Sequence, residues 1–182
     1  IIQFLMTKKN NIFCEKPLTL DLKTSNKINY LSRKKKIKLY VSDIYSFHPK
    51  KIIFLKKNLI VRKKNVSNRN DKDFLYRFLY HDISILYNHI KKQKIRKINY
   101  QNIKRKFFLN IYFNKKYEIK FIYDLDHKEK IHKINDQNLI TKKNILGKMI
   151  KSVIGHKVDF AENKKKSTFI LSLLKKVEKH LT

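Results

Sequence analysis

The sequence predicts an α+β fold, and two periodicities and their order carry that expectation. Apolar residues recur at three and four over 71–92, three short strand-like runs follow between 95 and 123, the second of them alternating, and helical spacing returns after 136. Strands grouped between helices, rather than alternating with them, mark α+β architecture. Hydrophobic residues make up 42% of the 182, enough for a modest core despite a net charge of +31.

Residues 1–36 have mixed polarity, Pro17 and no sustained period, and read as an extended arm. Ile37, Leu39 and Val41 alternate with Lys38, Tyr40 and Ser42, and a second β-rich run covers 51–61, so a hairpin is expected around His48-Pro49. Residues 63–72 are polar and read as a surface loop. Leu75, Phe78, Leu79, Ile83, Leu86 and Ile90 then form one face of a helix over 71–92, with Asn70 or Asp71 as its cap. Three strands follow at 95–100, 106–113 and 117–123, separated by short polar turns. Leu139, Ile140, Leu146, Met149, Ile150 and Val153 predict a helix over 136–154, with Gly155 as a left-handed cap. A last helix is capped near Ser167, and its apolar stripe is Phe169, Ile170, Leu173, Leu174, Val177 and Leu181. The implied organisation is an N-terminal arm and insertion over 1–70, a central domain over 71–155, and a C-terminal helix over 156–182 that docks on another chain.

The charge is spread over every segment. Its 45 Lys and Arg face 14 Asp and Glu, which calls for a polyanionic partner, with nucleic acid ahead of a membrane surface. Three basic groups are candidate phosphate contacts. The first is Arg33, Lys34, Lys35, Lys36 and Lys38 with Lys50, Lys51, Lys56, Lys57, Arg62, Lys63 and Lys64, set among Tyr40, Tyr45, Phe47 and Phe54. Next come Lys91, Lys92, Lys94, Arg96, Lys97, Lys104, Arg105 and Lys106, and then Lys164, Lys165 and Lys166. Lys115 and Lys116 add a turn between two strands. Ile, Asn and Lys are abundant and Ala161 is the single Ala, a bias toward AT-rich codons that suggests an organelle gene, as does Ile1 in place of Met.

Leu79-Tyr80-His81-Asp82-Ile83-Ser84-Ile85-Leu86 and the stretch 97–113 resemble the N-terminal half of the small-subunit ribosomal protein S-three family, with its KH domain. Pro17-Leu18-Thr19-Leu20-Asp21-Leu22 resembles that family's opening segment, and 168–176 the helix that opens its second domain. The resemblance implies a degenerate KH-like core in a structural rRNA-binding protein of a mitochondrial ribosome, in the head near the side where mRNA enters. It also implies rRNA, mRNA and other ribosomal proteins as partners. One of these would be a separate chain carrying the rest of S-three, packed on the Phe169–Leu181 stripe. Asn114-Lys115-Lys116 lacks the Gly-x-x-Gly of the KH signature, so it is not expected to clamp nucleotides.

No enzyme, cofactor or metal is expected. Cys14 is the only cysteine, and the two glycines, Gly147 and Gly155, cannot build a phosphate cradle. His127 and His132, near Asp124, Asp126 and Glu129, read as a hydrated loop rather than a metal cluster. No apolar run reaches the roughly 18–20 residues of a membrane span, so no membrane partner is expected. Two other readings stay open: a different organellar ribosomal or RNA-packaging protein, and a nucleic-acid-processing enzyme.

Overall fold

The computed structural model describes all residues except 1, 3–5, 7–10, 50, 67–73, 115–116 and 182. Strands β1 (Ile12–Cys14) and β2 (Leu39–Val41) pair in parallel across helix α1 (Leu22–Lys34). The supposed arm is therefore a β-α-β unit, the connection that a parallel pair requires. Asp21 starts α1 by accepting the Thr24 N–H at 2.6 Å, and Lys36, at φ 54°, turns the chain out of it. A small core of its own, including Ile12, Leu18, Ile28, Ile37 and Leu39, holds the unit together.

The larger sheet has six strands: β3 (Lys57–Lys63), β4 (Ile95–Ile103), β5 (Lys106–Phe113), β6 (Glu118–Asp124), β7 (Ile131–Ile134) and β8 (Gln137–Asn138). Their order is β4-β5-β6-β3-β7-β8, with β3 parallel to β6 and antiparallel to β7. One row across the inner face runs Tyr100, Leu109, Phe121, Ile60, Ile134. Helices α2 (Tyr80–Ile90) and α4 (Phe160–Glu178) join this face in one core, through Ile83, Leu86 and Ile90 and through Ile170, Leu173, Leu174 and Val177. On the opposite face, Gln101, Lys120 and Lys133 are exposed. Helix α3 (Ile145–Ile154) packs Met149 and Val153 against Tyr40, and so bridges toward β2.

This architecture replaces the KH-like core. The helix and the β4-β5-β6 meander are where the alternation puts them, but β3 enters the sheet between β6 and β7 instead of forming a hairpin with β2. That long-range pairing removes the three-stranded sheet of the KH expectation, and β3 links residues 57–63 to the same body as the central segment.

Three local boundaries also move. The helix expected over 136–154 is strand β8 followed by α3, because Asn135 at φ 51° turns the chain back on β7, and Asn144 caps α3 by accepting the Gly147 N–H at 2.7 Å. Gly155 keeps φ −75°, and the left-handed residue is His156. Helix α4 begins near Asp159, which accepts the N–H groups of Ala161 and Glu162, while Ser167 is buried inside the helix and accepts the Tyr80 hydroxyl at 3.2 Å. The caps expected at Asn70 and Asp71 lie outside the described residues. The C-terminal stripe packs on its own chain: Ile170, Leu173, Leu174 and Val177 are buried in the main core, with Phe169 and Leu181 at its edge.

Candidate functional site

Register brings three polar side chains together where β6, β3 and β7 lie side by side. Arg62 is the Cα partner of Tyr123 on one flank and of His132 on the other. All three converge on Asp82 of α2, which is completely buried. Asp82 Oδ1 accepts from Arg62 Nη2 and from His132 Nε2, both at 2.8 Å, and Oδ2 accepts from the Tyr123 hydroxyl at 2.8 Å. Burial alone would raise the Asp82 pKa, but Arg62, His132 and Tyr123 together hold it below the ordinary carboxylate value. Asp82 sits on the apolar stripe of its helix, between Leu79 and Leu86, so the carboxylate enters the core and must be met there.

The network extends outward through Tyr45, in the turn Ile44–Phe47 after β2. The Tyr45 hydroxyl lies 3.1 Å from His132 Nδ1 and 3.2 Å from Arg62 Nη2. Burial lowers the His132 pKa, with Asp82 opposing, which favours the neutral ring. In that form, with the Nε2 proton given to Asp82, Nδ1 is the acceptor and the Tyr45 hydroxyl the donor to it. The Arg62 guanidinium also lies 5.2 Å from the Phe78 ring centre and 5.9 Å from that of Tyr45, which fixes its plane between two aromatics.

A cleft of about 1170 Å³ opens beside this network, between the β1–α1 connection, the ends of β3 and β7, the Leu75–Leu79 turn and α4. Lys16, in Glu15-Lys16-Pro17 just after β1, reaches into it and donates to the carbonyls of Tyr76 and Arg77, each at 3.0 Å. These carbonyls belong to a π-helical turn at Leu75–Leu79, whose widened backbone leaves such oxygens open to a side-chain donor. Burial and then Arg62 bring the Lys16 pKa down to about 8, against Glu15 and Asp82. His81 lines the same cleft, its pKa held well below the ordinary imidazole value by burial, Lys16 and Arg62. Its ring meets that of Tyr45 edge-on at 5.3 Å.

The residues expected to contact phosphate are distributed over several elements. Arg33 and Lys34 end α1, followed by Lys35, Lys36 and Lys38; Lys51, Lys56 and Lys57 flank the start of β3; Lys92, Lys94, Arg96, Lys97 and Lys104 lie between α2 and the end of β4, all exposed. Lys57, Arg96 and Lys97 share a smaller pocket of about 560 Å³ with Tyr112 and Tyr117. Arg62 is an internal ion-pair partner, while Lys63 and Lys64 line the cleft. Several others are committed within the chain: Lys91 to Glu162, Arg105 to Asp126, Lys106 to Asp124 and Lys166 to Asp43, while Lys164 donates to Ser32. Lys165 is exposed on α4. Lys50, Lys115 and Lys116 lie outside the described residues.

From sequence alone Lys16 falls in an arm, Tyr45 among the aromatics of a basic group and His132 in a loop. A usable signal was Asp82 itself, a carboxylate on an apolar helical stripe that demands buried donors.

No family profile and no curated protein matches the sequence. Solved structures do. UDP-N-acetylglucosamine 3-dehydrogenase GnnA from Acidithiobacillus ferrooxidans superposes with a TM-score of 0.79 at 12% identity, over 98% of this chain and 73% of that one. The dehydrogenase MviM from Clostridium difficile gives 0.72 at 17% identity, over 99% and 74%. The WlbA dehydrogenase from Thermus thermophilus, in complex with NAD and UDP-GlcNAcA, gives 0.71 at 11% identity, over 95% and 66%.

The chain has the fold of these dehydrogenases. That overturns the resemblance to S-three and the KH assignment. With them go the structural role in a ribosome and the rRNA, mRNA and ribosomal-protein partners that the resemblance implied; the expectation that no enzyme is involved, drawn from missing motifs, is contradicted as well, by the dehydrogenases that share the fold.

The WlbA structure holds a dinucleotide, whereas the present sequence contains no glycine-rich turn of the kind that cradles a pyrophosphate. Its two glycines lie inside α3 and at the end of α3, and a Cβ on Gly147 would meet only the Asn144 side chain that caps the same helix. The β1–α1 connection over 15–21 contains no glycine to bring backbone against a pyrophosphate. No cofactor contact is assigned to this chain.

Proposed function

We propose that this chain forms the substrate side of a dehydrogenase acting on a polyhydroxylated, sugar-like molecule: Lys16 takes the proton of a substrate hydroxyl, and the hydride of the same carbon passes to an acceptor of the nicotinamide class held outside the residues of this chain. The observation that carries this reading is the state of Lys16. With a pKa of about 8, a substantial share of the amine is neutral near physiological pH. A neutral amine has two N–H bonds and one lone pair, and both N–H bonds are accounted for by the carbonyls of Tyr76 and Arg77. The lone pair is what remains for an incoming hydroxyl proton. His81, neutral and in the same cleft, and the Tyr45 hydroxyl supply polar contacts suited to further hydroxyl groups. The structural neighbours include dehydrogenases described for UDP-N-acetylglucosamine and for myo-inositol, both polyhydroxylated rings.

Ligand-observed NMR with a panel of hexoses, inositols and their nucleotide conjugates tests the reading, using the full chain and Lys16→Met. Binding of at least one such compound, displaced from the cleft by a substitution at His81, is the expected result. If no polyhydroxylated compound binds, or if binding is indifferent to both substitutions, the reading is wrong.

A further inference from the structure

We propose that the substrate held in this cleft carries an anionic group, a phosphate ester or a carboxylate, seated at the end of the cleft formed by β3 and β7. This rests on the cleft being a sugar-type substrate site and adds the chemical class of its ligand. Seven Lys and Arg side chains line the cleft against two carboxylates, Glu15 and Glu178. Glu178 is engaged by Lys175 at 2.7 Å and by the Tyr76 hydroxyl at 2.9 Å.

Register concentrates the excess charge. Lys63 is the Cα partner of Ile131, so Lys63 and Lys64 at the end of β3 come alongside Lys130 at the start of β7. Like charges on adjacent strands repel, and among the described residues none of these three has a carboxylate partner. One residue further in, Arg62 forms part of the cleft wall. It is more than nine-tenths buried, its plane is fixed between Phe78 and Tyr45, and its Nε has no hydrogen-bond partner. Lysines as mobile point charges around a fixed arginine form an arrangement that suits a phosphate or carboxylate oxygen cluster.

Calorimetric titration of the full chain at physiological ionic strength, with glucose 6-phosphate, glucuronate and glucose as probes, tests the proposal. The expected result is saturable one-to-one binding of at least one anionic sugar, about tenfold or more tighter than glucose. The triple substitution Lys63→Gln, Lys64→Gln, Lys130→Gln should abolish that preference. Lys34→Gln, Lys35→Gln, Lys92→Gln, which removes equal charge outside the cleft, should leave it nearly unchanged. A preference for glucose 6-phosphate or for glucuronate identifies the anion. Equal affinity for glucose, equal loss in both triple variants, or no saturable binding of any anionic sugar overturns the proposal. Equal affinity for glucose would leave the sugar-site reading standing, whereas anion binding untouched by Lys16→Met and a His81 substitution would count against that reading alone.

Discussion

Arg62 and Asp82 form a 2.8 Å ion pair that joins the middle of the sheet to α2, with the Asp82 side chain fully buried and the Arg62 side chain nearly so. Two charges removed from water this completely recover their solvation loss only through geometry, and here His132 and Tyr123 complete the carboxylate's contacts. Asp82→Asn keeps the shape and leaves Arg62 uncompensated, so it should cost about 3–5 kcal/mol in denaturant unfolding. The double variant Arg62→Met, Asp82→Leu should lose less than the sum of the two single changes, because no charge is left stranded. Strict additivity would show that the pair is not coupled.

The same cluster sets an acid limit. His81 and His132 have folded pKa values below the ordinary imidazole value, so on acidification the unfolded chain binds their protons first. Stability is then full above about 6.5 and falls as pH drops below it, by up to about 1.4 kcal/mol per pH unit for each imidazole. Asp82 has a depressed folded value too, and its contribution is complete above about 3.9 and lost only as pH falls through the lower folded value. Urea titrations between pH 8 and pH 5 read the histidine part, and His81→Phe should reduce the slope by one proton. A stability that is flat over that range would contradict the burial of both rings in neutral form.

The β4–β5 hairpin turns through Lys104 and Arg105, at φ 46° and 61°. Two consecutive positive φ values are what a tight two-residue hairpin needs, and Asn-Gly normally supplies them. A side chain in that region costs roughly 1–2 kcal/mol. Arg105 recovers part of this by pairing with Asp126 at 2.8 Å and donating to the Val66 carbonyl. Lys104 has no such contact among the described residues, so Lys104→Gly should stabilise the protein by about 0.5–1 kcal/mol after the entropy cost of glycine in the unfolded chain. A loss of stability would mean that the lysine side chain has a role the turn geometry does not account for.

That turn also shows what was legible in the sequence. The alternation of Phe107, Leu109, Ile111 and Phe113 reports a strand directly, because burial on one face imposes period two, and the Leu79–Ile90 spacing reports α2 in the same way. Pairing is different. The choice of β6 and β7 as partners for β3 is made by contacts about sixty and seventy residues away, and nothing in 57–63 names them. The turn chemistry that helps to assign register was muted, because a chain with two glycines places Lys, Arg, Asn and His at its left-handed positions. The cleft was hidden for the same reason: Lys16, Tyr45, His81 and His132 are far apart in sequence and converge only once β3 is in place. The net charge is spread over every segment and so singles out no residue, whereas a carboxylate on an apolar helical stripe singles out Asp82.

Helix α4 offers a last test, since it holds two parts of the molecule at once. Leu174 is fully buried in the core of the large sheet, and a Leu→Ala change at such a site costs about 2–5 kcal/mol. Asn163, near the other end of the helix, accepts the Val41 N–H at 2.8 Å and donates to the Val41 carbonyl at 2.9 Å, tying the helix to β2. Asn163→Leu strands two buried backbone groups and should cost about 1–3 kcal/mol for each. The two sites are eleven residues apart, about 16 Å along the helix, beyond the distance at which effects usually couple. The double variant should therefore show the sum of the two losses in a single unfolding transition. Two separate transitions would instead mean that the β1-α1-β2 unit and the six-stranded sheet unfold independently, with α4 bound to only one of them.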